Sequence, residues 1–489
     1  MTYPWLHEQT TWRGSWWLPE DPGNQHAGFL SYSPGSGLEL TLVGGFDDMI
    51  WEPIGPGAWA IPTETRNFPA IHGFAGNQPV TLFEARSVSS KSYGLGFFEG
   101  GPSEQTIRSQ RALVGVHATS TAEGLFDHAD CVIEDSWSWS GDSAMTGNIQ
   151  LDAQKRFTGE ATIELTPVDE KSISVNGVEV TLSHSLTLPS FDPKRGGARG
   201  HVEDKAVFTF TPEQPFSLTE ALSCVTTVQD LLALATGRGP ALLWLSLYVS
   251  SPFTDRDESS EELLKEVHVY THGRDAGDPD AKSVDAHDLV FTLKDLPFET
   301  LIPRWWEVRD QFRASCNTII GSRYAAEPYI ETMLITAATA AESFHKDLGE
   351  APPMARKEMD ALVQRAVDAM PDDRKDWIRS VIPRGHSLRQ RLDRLAERIP
   401  KMCRDRLLPD ADEWAKATTR ARNDLSHSGT SAADVERLYA VVRVTRAVVL
   451  VNILIELGLR EDRLLKAITY NSELSGACQL AARHFSRTA

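Results

Sequence analysis

The stretch TTRARNDLSHSGTSAADVERLY, Thr418 to Tyr439, decides how the second half of this 489-residue chain is read. It closes one amphipathic segment, Asp410 to His427, at Ser428-Gly429, where glycine suits a helix C-cap. It then opens a long helix, expected from near Ser431 to Gly458, with Val435, Leu438, Val442, Val449 and Ile455 toward a core. Arg422, Asn423 and His427 sit at the junction. They form either a site that acts on phosphate chemistry or an ordinary polar helix end.

Working outward, the segments before it are also helical. Ile330, Leu334, Ala337, Ala341 and Phe344 recur at three-and-four spacing, and amphipathic stretches cover Ala355–Met370 and Leu388–Cys403. Pro371, Pro383 and Pro409 separate them, and four principal helices with short connections make a bundle. The first half differs. It holds 28 of the 34 glycines, and its apolar residues alternate, as in Leu38, Leu40 and Leu42. Ile173 and Val175, then Asn176-Gly177, then Val178, Val180 and Leu182 spell a two-residue β-hairpin. Ser217 and Glu220 form a capping box that starts one helix, which Gly237 ends. The fold class is therefore α+β multidomain. A β-rich, sandwich-like domain covers 1–295, a connecting segment 296–325 and an all-α four-helix bundle 326–489.

Charge divides the chain at the same place. Residues 1–300 carry 19 Lys+Arg against 42 Asp+Glu, and residues 301–489 carry 30 against 26. A polyanion would thus be drawn to the second half and repelled by the first. Arg374 to Arg406 concentrates eleven basic residues against four acidic ones, and Arg389, Arg391 and Arg394 are its candidate RNA contacts. A solvated helix face is the alternative. Five scattered cysteines suggest neither zinc cage nor disulfide framework. The N-terminus lacks a signal-peptide pattern, and the apolar run Ala447–Leu459 is too short for a span and contains Asn452 and Glu456. A cytoplasmic protein with no membrane partner is expected.

Spacing between arginine and histidine carries no weight alone, because 35 arginines and 14 histidines meet at any fixed separation about once by chance. Arg66/His72, Arg111/His117, Arg195/His201 and Arg379/His386 compete with Arg422/His427. Only the last pair closes an amphipathic helix within a bundle. Asn423 and His427, four apart, share a helix face, so the amide can orient the imidazole. Arg422 lies about 140° around from His427, and the two converge only if the last turn frays.

Arg-Asn-x3-His at a helix end, then Ser-Gly and another long helix, resembles the ApeA-like HEPN family. AAESFHKDL (Ala340–Leu348) is similar to that group's first-helix segment. GSWWLPEDPGNQHAGFLSYSPGSGLELTLVGGF, IHGFAGNQPVTLFEA and VFTLKDLPFETLIPRWWEVRDQF look like the N-terminal domain joined to such modules. The resemblance implies a metal-independent endoribonuclease of bacterial anti-phage abortive infection, working as a homodimer without cofactor. It would leave a 2′,3′-cyclic phosphate and a 5′-hydroxyl. His427 would serve as acid or base, Arg422 would fork onto phosphate, and Asn423 would position base or substrate. Glu342 and His345 are candidates for support, with an ordinary helix-surface pair as the alternative. The first domain would be a sensor or regulator that meets a phage-encoded protein. The rival for the whole chain is a non-catalytic HEPN scaffold that dimerises or binds RNA or protein.

Overall fold

The computed structural model describes residues 5–46, 53–55, 58–59, 66–91, 102–250, 264–271, 277–325, 328–352, 354–382, 385–428 and 434–486, without the side chains of 53–55, 58–59, 427 and 428. Two compact units result, one from 1–232 with 240–283 and one from 233–239 with 284–489.

In the first unit thirteen strands form one antiparallel sheet. Its spatial order is Lys171–Val175, Val178–Leu186, Asp204–Pro212, His128–Ile133, Leu242–Ser250, Leu264–Thr271, Arg111–Val114, Gln78–Lys91, Asn67–Ala75, Thr10–Leu18, Asp21–Ser33, Gly37–Val43 and Glu104–Ser109. In place of two packed sheets, the sheet closes on itself. The reason is the length of Gln78–Lys91. Its first half pairs with Arg111–Val114, and beyond Glu84, at φ 54°, its second half pairs with Glu104–Ser109 across a bulge at Ser87/Ser89. Six strands thereby ring a core of Trp16, Leu40, Phe68, Leu82 and Ile107, each fully buried. Trp16 pairs with Gly73 on the neighbouring strand, where a Cβ would stand 2.3 Å from the indole. The hairpin at Asn176-Gly177 is present, with φ of 51° and 78° and Val175 paired to Val178. After the short helix α1 (Ser136–Ser140), helix α2 (Leu218–Thr236) begins with the capping box, Ser217 N donating to Glu220 and Glu220 N to Ser217 Oγ.

The second unit is helical: α3 (Phe298–Gln311), α4 (Arg313–Tyr324), α5 (Ile330–Asp347), α6 (Arg356–Asp368), α7 (Lys375–Val381), α8 (Leu388–Arg398), α9 (Lys401–Leu407), α10 (Ala411–Ser428), α11 (Val435–Glu456), α12 (Glu461–Tyr470) and α13 (Ser472–His484). Helices α5, α8, α10 and α11 all touch one another and make the four-helix bundle. The expected helix Leu388–Cys403 is two helices. Pro400 has no N–H to donate and drives Ile399 to extended backbone (ψ 128°), ending α8 there. Asp434 caps α11, its carboxylate accepting from Arg437 N at 2.7 Å. Val435 is then on the outside, 69% exposed rather than in the core. The core face begins at Leu438, and from Ala440 to Leu454 the helix is buried almost all round. By length and composition α2 and α11 could each cross a bilayer, but 83% of the α11 window is buried within the protein, as expected of a central bundle helix.

Candidate functional site

Helix α10 is keyed to α11 before its polar end is reached. Trp414 Nε1 donates to Thr445 Oγ1 at 3.2 Å, and Thr418 Oγ1 lies 3.4 Å from the same hydroxyl, all three residues fully buried. Arg422 follows Thr418 by one turn, so its rotational setting is fixed by that contact. Its Nη2 stands 3.3 Å from Glu342 Oε1 on α5. From the other side, Arg391 Nη1 on α8 lies 3.7 Å from Glu342 Oε2. Three helices therefore meet on one carboxylate.

The side chains in this cluster are partly exposed, 37% for Arg422, 28% for Arg391 and 25% for Glu342. Pairs of that kind contribute about 0–1 kcal/mol. The arrangement therefore orients Arg422 more than it stabilises the bundle. Only one guanidinium nitrogen is spent on Glu342, and Nη1 makes a long 3.4 Å bond to Asn423 Oδ1. The planar fork keeps donors for an incoming anion.

Next to Glu342 on the same helix lies His345, its side chain 4% exposed. Its Nε2 is 3.3 Å from Glu350 Oε2 but outside hydrogen-bond geometry. Burial lowers its pKa; Glu350 opposes that, while His386 and Arg391 add to it. The His386 ring is tilted 66° to that of His345 with centroids 4.9 Å apart, and Arg391 Nε donates to the His386 carbonyl at 3.1 Å. Glu350 was not among the sequence candidates, and His386 entered only as the histidine of the rival pair Arg379/His386. The legible signal was the capping box Ser387-Leu-Arg-Gln390, which fixes the start of α8 directly after His386.

His427 is in the last turn of α10, and its side chain lies outside the described residues. The backbone stays helical to Ser428, without the fraying that convergence within one chain needed. In such a helix positions 422 and 427 lie about 140° apart around the axis.

The α8 arginines of the basic stretch all meet carboxylates. Arg389 pairs with Asp412 and approaches Asp393, Arg394 pairs with Glu397 at 2.9 Å, and Arg398 pairs with Glu456. Asp412, Glu342 and Glu456 come from outside the segment, so counting charge along the sequence overstates its positive field.

Two of the rival Arg/His pairs serve the fold. Arg66 binds Glu20 and Arg111 binds Glu84, each at 2.8 Å. The imidazoles of His72 and His117 stack at 4.5 Å, with Nε2 atoms 2.9 and 2.8 Å from the Ala118 and Gly73 carbonyls. One constellation unseen in the sequence has triad connectivity: His184 Nδ1 lies 2.8 Å from Asp204 and its Nε2 3.5 Å from Ser140 Oγ. Ser140, however, is buried and donates to the Trp137 carbonyl at 2.7 Å, while Asp204 also binds Trp137 Nε1 and Ala144 N. The group pins α1 to the sheet and offers no exposed nucleophile.

Comparison with known proteins yields two family matches. Residues 11–305 match ApeA N-terminal domain 1, and residues 335–463 match Apea-like HEPN. No curated protein and no solved structure matches. The HEPN match contains Glu342, His345, Arg391, Arg422, Asn423 and His427.

Proposed function

The chain belongs to the ApeA family, with ApeA N-terminal domain 1 ahead of an Apea-like HEPN domain, and from this we propose that it is a metal-independent endoribonuclease of bacterial anti-phage defence. HEPN domains are generally RNases, and they commonly dimerise and bind RNA. The observation that carries the finer reading is Arg422, held by Glu342 through Nη2 and reaching Asn423 only by a long 3.4 Å bond, so that among the described residues its fork keeps donors to spare. Cleavage by a neighbouring 2′-hydroxyl requires a base for that hydroxyl, an acid for the departing 5′-oxygen and a cation for the crowded phosphorane. Arg422 supplies the cation. His427 supplies acid or base, and Asn423 positions the imidazole or the RNA. The 140° divergence along α10 favours a cleft completed by the motif of a second chain, whose His427 would provide the other proton-transfer group.

Incubation of the purified chain with RNA in EDTA is expected to give 2′,3′-cyclic phosphate and 5′-hydroxyl ends. RNA that is bound but never cut would sink the nuclease reading in favour of a scaffold. In the composite cleft, excess His427→Ala chain should poison wild-type activity. Activity proportional to the wild-type fraction would mean that each chain works alone.

The first domain we read as the sensor, meeting a phage-encoded protein and restraining the nuclease until then, so that release leads to abortive infection. Its hairpin Met145–Leu165 supports this, because Ile149, Phe157 and Ile163 are 59–67% exposed on an arm that contributes nothing to the main sheet. Phage resistance lost on alanine substitution of these three, with cleavage by the purified protein intact, is the expected result.

A further inference from the structure

The side chain of His345 poses a separate question. It is 4% exposed, and its Nε2 is out of contact with solvent, with Glu350 Oε2 at 3.3 Å but no well-formed hydrogen bond among the described residues. A buried nitrogen in that condition is costly unless something else satisfies it. Around it the chain gathers two further donors. Gly349, at φ 69°, turns the chain after α5 and brings Glu350 back over His345. His386 is fixed by the capping box that follows it and by Arg391 Nε on its carbonyl. One ligand atom from each of His345, Glu350 and His386 lies within 4.8 Å of the others.

We propose that these three residues bind one divalent transition-metal ion of the zinc type, joining the end of α5 to the start of α8. Two imidazoles and a carboxylate suit such an ion, whereas calcium and magnesium prefer all-oxygen sites. In a tetrahedral site with bonds of about 2.0–2.2 Å the donor atoms stand ~3.3–3.6 Å apart. The His345–Glu350 separation of 3.3 Å already matches. Rotation of exposed Glu350 and half-buried His386 closes the remainder. Arg391 is the nearby cation that opposes binding, and Glu342 faces it at 3.7 Å. The three ligands are distinct from Arg422, Asn423 and His427, the residues proposed for cleavage.

The test uses the untagged full chain, stripped with EDTA and dialysed. Titration with Zn²⁺ alone should show one ion per chain and raise the melting temperature. Titration with Co²⁺ alone should produce visible ligand-field bands. Glu350→Gln and His386→Gln lie at accessible positions, leave buried His345 in place and should each weaken Zn²⁺ binding at least about tenfold. Absence of Zn²⁺ binding to the wild-type chain overturns the proposal. So does undiminished affinity in both variants, which would place the ion elsewhere.

Discussion

Among its described residues the helical unit holds two Arg–Glu–Arg clusters that differ in one respect. In the first, Glu456 of α11 receives Arg304 Nη2 at 2.8 Å and also pairs with Arg398. Arg304 Nε adds a 2.7 Å bond to the Glu456 carbonyl, and Arg398 Nε a 2.9 Å bond to Asn452. Asn452, fully buried, spends its amide on the Leu395 and Val448 carbonyls. In the second, Glu342 faces Arg422 and Arg391 at 3.3 and 3.7 Å, without a comparable set of short bonds. The first cluster uses its donors to join α3, α8 and α11. The second brings α5, α8 and α10 to one carboxylate and leaves guanidinium donors over. Unused donors on an oriented cation are what an anion-handling site requires.

The largest effect should come from the second cluster. Arg422→Ala and His427→Ala are each expected to reduce RNA cleavage by about 10²–10⁴-fold, the range for a lost proton-transfer group or oriented charge. Arg422→Lys should fail as well, since it keeps the charge and loses the fork. Their urea midpoints should match wild type. Cleavage at the wild-type rate by either alanine variant would erase the functional side of the contrast.

Glu456→Ala tests the other side. It leaves two arginines facing a carbonyl and an amide at a site where the carboxylate is 17% exposed. A loss of about 2–3 kcal/mol in chemical unfolding is expected, somewhat below that of a fully buried pair. Cleavage per folded molecule should be unchanged. An unfolding midpoint within error of wild type would show that both clusters are equally dispensable to the fold.

How far the sequence disclosed this contrast depends on the residue. Asn452 and Glu456 stand out as polar letters in an apolar run, and those two residues join α11 to its neighbours. The bundle, the Asn176-Gly177 hairpin and the Ser217 capping box were legible because each depends on neighbours within a few positions. Closure of the sheet into a ring was not, because it requires Gln78–Lys91 to change partners partway along its length. The polar cluster was half legible. Glu342, His345 and Arg422 were candidates, but Glu342 and Arg422 are eighty positions apart, and no local pattern joins them. For the same reason Arg391 was grouped with Arg389 and Arg394 as a phosphate contact, while the structure sets it on Glu342.

Between the two clusters in effect lies Glu342→Gln. It keeps the shape and one acceptor but removes the charge that orients Arg422. Stability should fall by less than about 1 kcal/mol, as for any part-exposed pair. Cleavage should fall by roughly tenfold, mainly in kcat, because a misplaced cation misses the transition state more than the ground state. A large stability loss with unchanged kcat would make Glu342 a second Glu456.

The smallest effect concerns Arg389 and Arg394. Each already has a carboxylate partner, Asp412 and Glu397, although their side chains are 38% and 53% exposed. A phosphate contact would have to displace that partner. Each phosphate neutralised on single-stranded RNA contributes about 0.7 to the negative slope of log K against log salt. If both arginines touched RNA, Arg389→Glu with Arg394→Glu would flatten the slope by about 1.4. The pairing predicts a smaller change, under about 0.7, with affinity lowered by general repulsion at low salt. Arg391→Glu, which places a second carboxylate against Glu342, should weaken binding more than the other two together. A full flattening by about 1.4 in the double variant would mean that Asp412 and Glu397 yield to RNA, and that the basic face, not the Glu342 cluster alone, carries the substrate.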